Sequence, residues 1–473
     1  MTTTFAQSRR DVWRMGYWQS GPAFEINFYG GSLQIDSLPS SNMMSMYIED
    51  AGICDTNGNI LFYTNGIYIA NSLHDTLLNG GNLSPGPATA MWWDHGMPST
   101  LGAIALPDPG NSNQYYLFYT NVRMSDLACD TLFMAKIDMT LDGGLGGAII
   151  KNYPISTFEF LSGQLSACKH ANGRDWWFVV HGFNNDIFYK WLITPNGIAL
   201  PTQQNIGNTK MYPGQSSFSP DGEKYGCYDN HYELELLDFD RCSGMFSNYL
   251  NIDVPDSTVT TGGSFSPNSK VYYLSSRNYL YQVDLTSNNI ASTLDTVAIY
   301  DGFTDPYSNQ FFFQELAPDN KIYITGFGSN HYLSVINNPD IIGTGCDVTQ
   351  HSIYLPGRNG GSLPNYPFYE LGALGSSVCD SLPTSVQDLI YNNNEINFFP
   401  NPTKDAIYFS QHIDGEIERI EIYNSQGQKL ITSNSSNKKG TYITIDLSNL
   451  SPGFYEAVIY GINSISKAKI LKN

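Results

Sequence analysis

The sequence predicts an all-β chain: a β-propeller of seven blades, with six as the alternative, followed by a small immunoglobulin-like β-sandwich. Three observations carry this. Composition is the first: 473 residues hold 43 Gly, 32 Tyr, 25 Phe and 7 Trp, with only 14% charged residues, well under the usual ~25%. Such a mixture favours strands and turns over helices. The second is a turn phrase that recurs at nearly constant spacing, and the third is a change of charge and pattern over the last 78 residues.

Taken in order, the opening MTTTFAQSRRDVW has no apolar h-region, yet Phe5-Ala6-Gln7 has the small-residue form of a signal cleavage end. Residues 1–7 therefore read as the remnant of a secretory signal peptide, and N-terminal sequencing of the exported protein is expected to begin at Gln7. No run of eighteen apolar residues occurs, so no transmembrane helix is expected.

Residues 8–379 form the expected propeller. Turns of the Asp/Asn-Gly kind stand at Asp55–Gly58, Pro107–Gly110, Ala171–Gly173, Pro220–Gly222, Pro267–Ser269 and Pro318–Asn320, the last four 47 to 51 residues apart. Three of them share one phrase: SFSPDGEKYGCY, SFSPNSKVYYLS and ELAPDNKIYITG. Asn-Gly and Asp-Gly accept the positive φ that hairpin turns need, and Pro presets the first turn position. A period of roughly 40–50 residues with four short strands per unit is a propeller signature, because a lone four-stranded sheet cannot bury both faces. Six turns are visible, and the divergent first and last stretches supply a seventh blade.

Residues 380–395 are polar and read as a linker. Residues 396–473 show short alternating strands, a sandwich pattern. They hold eight Lys and Arg against seven Asp and Glu, a net +1, whereas residues 1–395 hold 16 against 37, a net −21; the whole chain carries −20. The acidity belongs to the propeller, and it repels phosphate backbones and anionic headgroups, so nucleic acid is not an expected partner.

The seven cysteines are at least fifteen residues apart, which leaves no C-x-x-C motif. Cys227 and Cys242 form the pair most easily bridged within one antiparallel unit, and the remaining thiols read as small buried hydrophobes.

The last residues resemble the type A C-terminal sorting domain of the Bacteroidetes type IX secretion system. The matching features are Phe399-Pro400-Asn401-Pro402, the hairpin Ile422–Lys429, the phrase LSNLSPGFY with Gly453 and Tyr455, and the final strand KAKILK with Lys469. The resemblance implies partnership with the type IX machinery, export across the outer membrane, and a secreted, extracellular or outer-cell-surface location. The region 50–370 is similar to the propeller-like domain at the front of many such cargo proteins, through DTNGNILFYTNG, ACKHANGRDWWFVVHG, LLDFDRCSG and GGSLPNYPF. That similarity implies fold and address, without a reaction.

Nucleophile-elbow, H-E-x-x-H, P-loop and dinucleotide signatures do not occur. The densest polar group is Lys169, His170, Arg174, Asp175 and His181 around the Asn172-Gly173 turn. A two-residue hairpin loop there makes His170 and Asp175 cross-strand neighbours, and a carboxylate can then orient and charge an imidazole. His170, Asp175 and His181 are the catalytic candidates. The competing reading is a hairpin-locking hydrogen bond. Trp92, Trp93, Asp94 and His95, in a Gly/Pro-rich loop, offer flat apolar faces beside hydrogen-bonding groups, which suits sugar rings or peptide side chains. With Lys169 and Arg174 they are the ligand-binding candidates, against the alternative that the Trp pair fills a gap between blades. Asp55, Asn57 and Asn59 place oxygens at every second residue, as a calcium loop does, but lack the bidentate Glu, and a hairpin turn accounts for them. No cofactor is expected, calcium being the one ion the acidity would suit.

The sequence thus points to a secreted or surface propeller acting as a binding or adhesion module for a glycan or protein partner. The alternative is a secreted propeller hydrolase or lactonase with an axial metal or carboxylate site.

Overall fold

The computed structural model describes residues 9–17, 21–31, 33–39, 44–123, 125, 128–156, 158–161, 164–229, 233–255, 261–375, 377–379, 398–410, 417–424, 428–434, 438–439, 442–461 and 465–473. The expected signal remnant and linker lie outside these residues. The chain divides into two compact units, Met1–Asp380 and Ser381–Asn473.

The first unit is a seven-bladed propeller. Blades 1 and 2 are three-stranded sheets, Val12–Met15, Phe24–Asn27 and Gln34–Ser37, then Ala51–Cys54, Ile60–Thr64 and Ile69–Asn71. Blade 3 runs from Ala103 to Ser156, blade 4 from Ser166 to Lys210, blade 5 from Gly214 to Asp253, blade 6 from Thr261 to Ile299 and blade 7 from Phe311 to Asn359. Within each blade successive strands pair antiparallel. The six turn phrases join the first and second strands of blades 2 to 7, so all six lie on one end of the ring, the turn face. The opposite end, the connection face, carries the links from blade to blade.

Blade faces bury aromatics against one another, and fully buried Trp13, Trp176, Trp191, Tyr225, Tyr272 and Tyr323 anchor these layers. Burying a side chain of this kind contributes roughly 1.5–3 kcal/mol. Polar bonds stitch the innermost strands: Ser166 to Ser216 through their hydroxyls at 2.8 Å, and Gln215 Nε2 to the Gln314 carbonyl at 2.6 Å. Trp13 meets Tyr323 edge-to-face at 5.6 Å, which closes blade 7 onto blade 1.

Blade 1 is incomplete for a reason that lies at the other end of the unit. Its first strand starts where the innermost strand of blade 2 ends, since the Arg9 carbonyl accepts from Cys54 N. The innermost position is taken by the segment after blade 7, which threads the axis. Asn365 N donates to the Asp50 carbonyl, and Asn365 Nδ2 donates to the carbonyls of Ala103 and Leu165, so one residue ties blades 2, 3 and 4. Tyr366 Oη donates to the Val12 carbonyl and Tyr369 Oη to the Ala105 carbonyl, both at 2.7 Å. At the turn face, Leu374 N donates to the Ala171 carbonyl at 2.8 Å. Gly173, at φ +71°, lies so close that a Cβ there would stand 2.4 Å from Ala373 N. Only glycine combines that backbone angle with room for the thread.

A disulfide joins Cys242, in a turn of blade 5, to Cys379 at the end of the thread. This corrects the expected Cys227–Cys242 pairing. Cys227 lies on an inner strand and is buried between blades, while Cys242 sits at the turn face where the thread emerges.

Where the innermost strand of blade 2 begins, Glu49 is fully buried and accepts a hydrogen bond from Ser99 Oγ. Burial pushes its carboxyl up to about 8, the Ser99 bond opposing. The folded protein therefore holds this proton while the unfolded chain releases it above about 4.5, so stability falls as pH rises from about 4.5 to 8, by roughly 1.4 kcal/mol per pH unit. Glu49→Gln is expected to remove this contribution, which urea titrations of both proteins between pH 5 and 8 would measure as a flatter profile.

The second unit is a β-sandwich. One sheet orders Phe398–Phe399, Ala406–Ser410, Tyr442–Asp446 and Lys438–Lys439; the other orders Lys429–Asn434, Ile417–Asn424, Gly453–Gly461 and Ile465–Lys472. Ile407, Ile420, Ile443, Ile445, Ile459 and Ile470 form the core between them. This accords with the alternating pattern, in which every second residue faces inward.

A candidate ligand-binding cleft on the connection face

The Trp92–His95 stretch lies in the long link between blades 2 and 3, just after a short helix, Pro87–Met91. Pro87 suits the first helical turn, where its missing N–H costs nothing. The chain then turns, His95 N and Gly96 N both donating to the Trp92 carbonyl. This turn sends the four residues in two directions. Trp92 stacks flat on Tyr47, 5.1 Å between centroids, and Tyr47 lies tilted against Tyr17 at 5.2 Å. His95 meets the edge of Trp92, and its Nδ1 lies 3.5 Å from Tyr17 Oη. Trp92 and His95 are thus half-buried supports.

Trp93, 50% exposed, and Asp94 face a cleft of about 400 Å³. Its other walls include Ser45, Asn65, Tyr68, His74 and Asp75. Asn65 fixes the floor, donating from Nδ2 to the Ser45 carbonyl at 2.9 Å and accepting from Met97 N through its own carbonyl. His74 adopts φ +68°, and its Nδ1 bonds Tyr63 Oη at 3.0 Å. Burial, aided by the Arg14 charge beneath, holds its imidazole below the ordinary histidine range. Sequence reasoning found Trp93 and Asp94 and missed His74 and Asp75, because the left-handed turn that aims them leaves no periodic signal.

The second candidate group divides differently. His170 N donates to the Asp175 carbonyl, so the two residues do face each other across the turn. Their side chains do not meet, which corrects the expected imidazole–carboxylate pair. The Asp175 carboxylate accepts from Arg174 Nε at 2.7 Å and Asn172 Nδ2 at 2.8 Å. The imidazole instead bridges Asn172 N, at 3.1 Å from Nδ1, and the Cys242 carbonyl, at 3.1 Å from Nε2. Asn172 sits between them and captures the carboxylate first. Lys169 lies over Trp176 at 4.7 Å and donates to the Gly173 carbonyl; burial, with Arg9, lowers its ammonium to about 8. His181 is buried at the far end of the same blade-4 strand, Trp176–His181, its Nδ1 donating to the Gly182 carbonyl, and burial pushes it down to about 3.

Asp55 serves its own turn, Oδ1 accepting from Asn57 N and Asn59 N, and Oδ2 from Asn59 Nδ2. Among the described residues no three His, Cys, Asp or Glu side chains converge as metal ligands. On the axis the thread leaves a cavity of about 30 Å³, lined in part by Ser166, Ser216, Gln215 and Glu315, the last pushed up to about 8 by burial, with Arg10 opposing.

In the sandwich, Asn401 explains the Phe-Pro-Asn-Pro phrase: its Nδ2 donates to the Lys469 carbonyl and its Oδ1 accepts from Leu471 N. Thr403 N continues this to the Leu471 carbonyl. The opening phrase and the final strand are therefore one structure. Pro400, Pro402 and the Lys469 side chain are exposed, and Tyr455 Oη donates to the Ser451 carbonyl at 2.6 Å. The Phe399 side chain and the tip of the 422–429 hairpin lie outside the described residues.

Residues 397–473 match the secretion system C-terminal sorting domain family. The chain is thus a type IX cargo protein, secreted or displayed at the cell surface, and its sorting domain is the part addressed to that machinery. Among the described residues no helix is long and apolar enough to cross a membrane. No curated protein matches the chain. Solved structures similar to it include the β-propeller domain of Myceliophteria thermophila Cps50 (Swd1), at 10% identity and TM-score 0.40 over 67% of this chain and 90% of that one. A Bacteroides uniformis protein provisionally named a 6-phosphogluconolactonase matches at 11% identity and TM-score 0.44, over 74% and 98%. A Lactobacillus plantarum protein matches at 12% and 0.42, over 75% and 99%. Likeness at this level says nothing of activity, and the propeller assignment stands on the seven sheets themselves.

Proposed function

We propose that the propeller is a glycan-binding adhesion module, exported through its sorting domain, whose ligand occupies the connection-face cleft beside Trp93. The observation that carries this reading is the pairing of a half-exposed indole with carboxylate, amide and imidazole groups in one concave site. Sugar rings present apolar C–H faces to an aromatic plane and hydroxyls to such acceptors. The support beneath is rigid, since the Tyr17–Tyr47–Trp92 cluster and the Asn65 bonds hold the turn that carries Trp93. A rigid aromatic anchor binds with little ordering cost.

The test is a glycan array probed with the full chain, followed by titration of each hit with wild type and Trp93→Ala. Trp93→Ala is expected to weaken binding by about tenfold or more, as loss of a central aromatic anchor does. Absence of any hit, or hits that Trp93→Ala leaves unchanged, would contradict the proposal.

A further inference from the structure

We infer that the cleft selects a glycan bearing a positively charged amine, an amino sugar rather than a neutral or anionic one. The inference rests on the reading of the cleft as the glycan site and adds the ligand's charge. Among the described residues its walls hold two carboxylates, Asp75 and Asp94, and no Lys or Arg. Asp75 and Asp94 are exposed to the cleft, and among the described residues no Lys or Arg forms an ion pair with either. His74 lies beside them with its imidazole lowered by burial and by Arg14, Asp75 opposing. Among the described residues Arg14 is the cation near the floor; it is itself buried, donates to the Phe24 and Met44 carbonyls, and faces Glu25 and Asp50 as well.

Trp93 stands beside both carboxylates in the cleft. An indole face is the best aromatic partner for an organic cation, and two acceptors beside it supply the charge-assisted hydrogen bonds an ammonium needs. A neutral sugar can donate hydroxyl hydrogen bonds to both carboxylates but leaves their charge unmatched when the ligand displaces their water, and an anionic one would be repelled. The surrounding propeller, at −21, favours the approach of a cation by the same sign.

A glucosamine oligomer and its N-acetylated counterpart separate charge from ring shape, since they share a backbone and differ in the amine. Titration of the full chain at mildly acidic pH is expected to show the glucosamine oligomer binding roughly tenfold tighter or more, with affinity falling as salt rises. The double variant Asp75→Asn/Asp94→Asn should bring the two ligands to within about threefold of each other, while Trp93→Ala weakens both. Because that variant keeps 42 of the 44 acidic residues, a glucosamine preference that survives it would be general attraction to an acidic protein, and the inference would fall. Equal or tighter binding of the acetylated oligomer through Trp93 would overturn the inference and leave the glycan-binding proposal standing. Failure of both oligomers, with an array hit of another kind that depends on Trp93, would have the same meaning; failure of every glycan would remove both.

Discussion

Replacing Cys242 with serine is expected to destabilise the propeller by about 4 kcal/mol. The disulfide to Cys379 spans 137 residues, and a cross-link over so long a loop removes much of the freedom of the unfolded chain. A second effect acts on the folded state. The thread is the innermost element of blade 1, and beyond Tyr369 it is held at the turn face by the Leu374–Ala171 bond, by Arg241 Nη2 donating to the Gly372 carbonyl at 2.5 Å, and by the disulfide. Freed at Cys379, the end of the thread can fray, and the axial bonds of Tyr366 and Tyr369 lose their backing. All seven Trp lie in the propeller, so tryptophan fluorescence during urea unfolding reports this unit alone. Wild type with reductant should approach the Cys242→Ser curve. A difference below about 1 kcal/mol would show that the ring closes without the bond.

The second large effect concerns the interface of blades 4 and 5. Lys210 is buried with its Nζ 2.7 Å from Glu235 and 3.2 Å from Asp229. Burial alone would depress its ammonium, but Cys227, Glu235 and Asp229 outweigh that and hold it well above its ordinary value. Lys210→Met is expected to cost about 3–5 kcal/mol, because it leaves two buried carboxylates without this cation. The triple variant Lys210→Met/Asp229→Asn/Glu235→Gln should regain more than half of the loss, since it removes the stranded charge as well. The same fluorescence measurement decides. A single variant within about 1 kcal/mol of wild type, or a triple variant worse than the single, would contradict the assignment of the cost to uncompensated charge.

Much of the fold was legible because propeller turns have local chemistry. Pro220-Asp221-Gly222 and its relatives mark the first hairpin of blades 2 to 7, where a backbone angle dictates the residue. Blade 1 was legible only by remainder. Its innermost position is filled by Asn365–Tyr369, some 350 residues from Val12, and no local pattern records a partner so distant. The disulfide was misread for the same reason, since nearness in sequence favoured Cys227 while the thread delivers Cys379. Site residues divide along similar lines. Spacing placed His170 opposite Asp175, as their backbone bond reflects, but which side chain takes the carboxylate depends on Asn172 and Arg174 in three dimensions. The Trp92–His95 motif was found by its residue types, and a single turn then separated the two residues that face the cleft from the two that support it.

The most direct test of the account is a crystal structure of the full chain with its strongest array ligand. The sugar is expected in the connection-face cleft, one ring stacked on Trp93 and polar groups reaching Asp94 and Asp75. A ligand seated instead at the His170–Arg174 turn, or in the axial cavity beside Glu315, would contradict it.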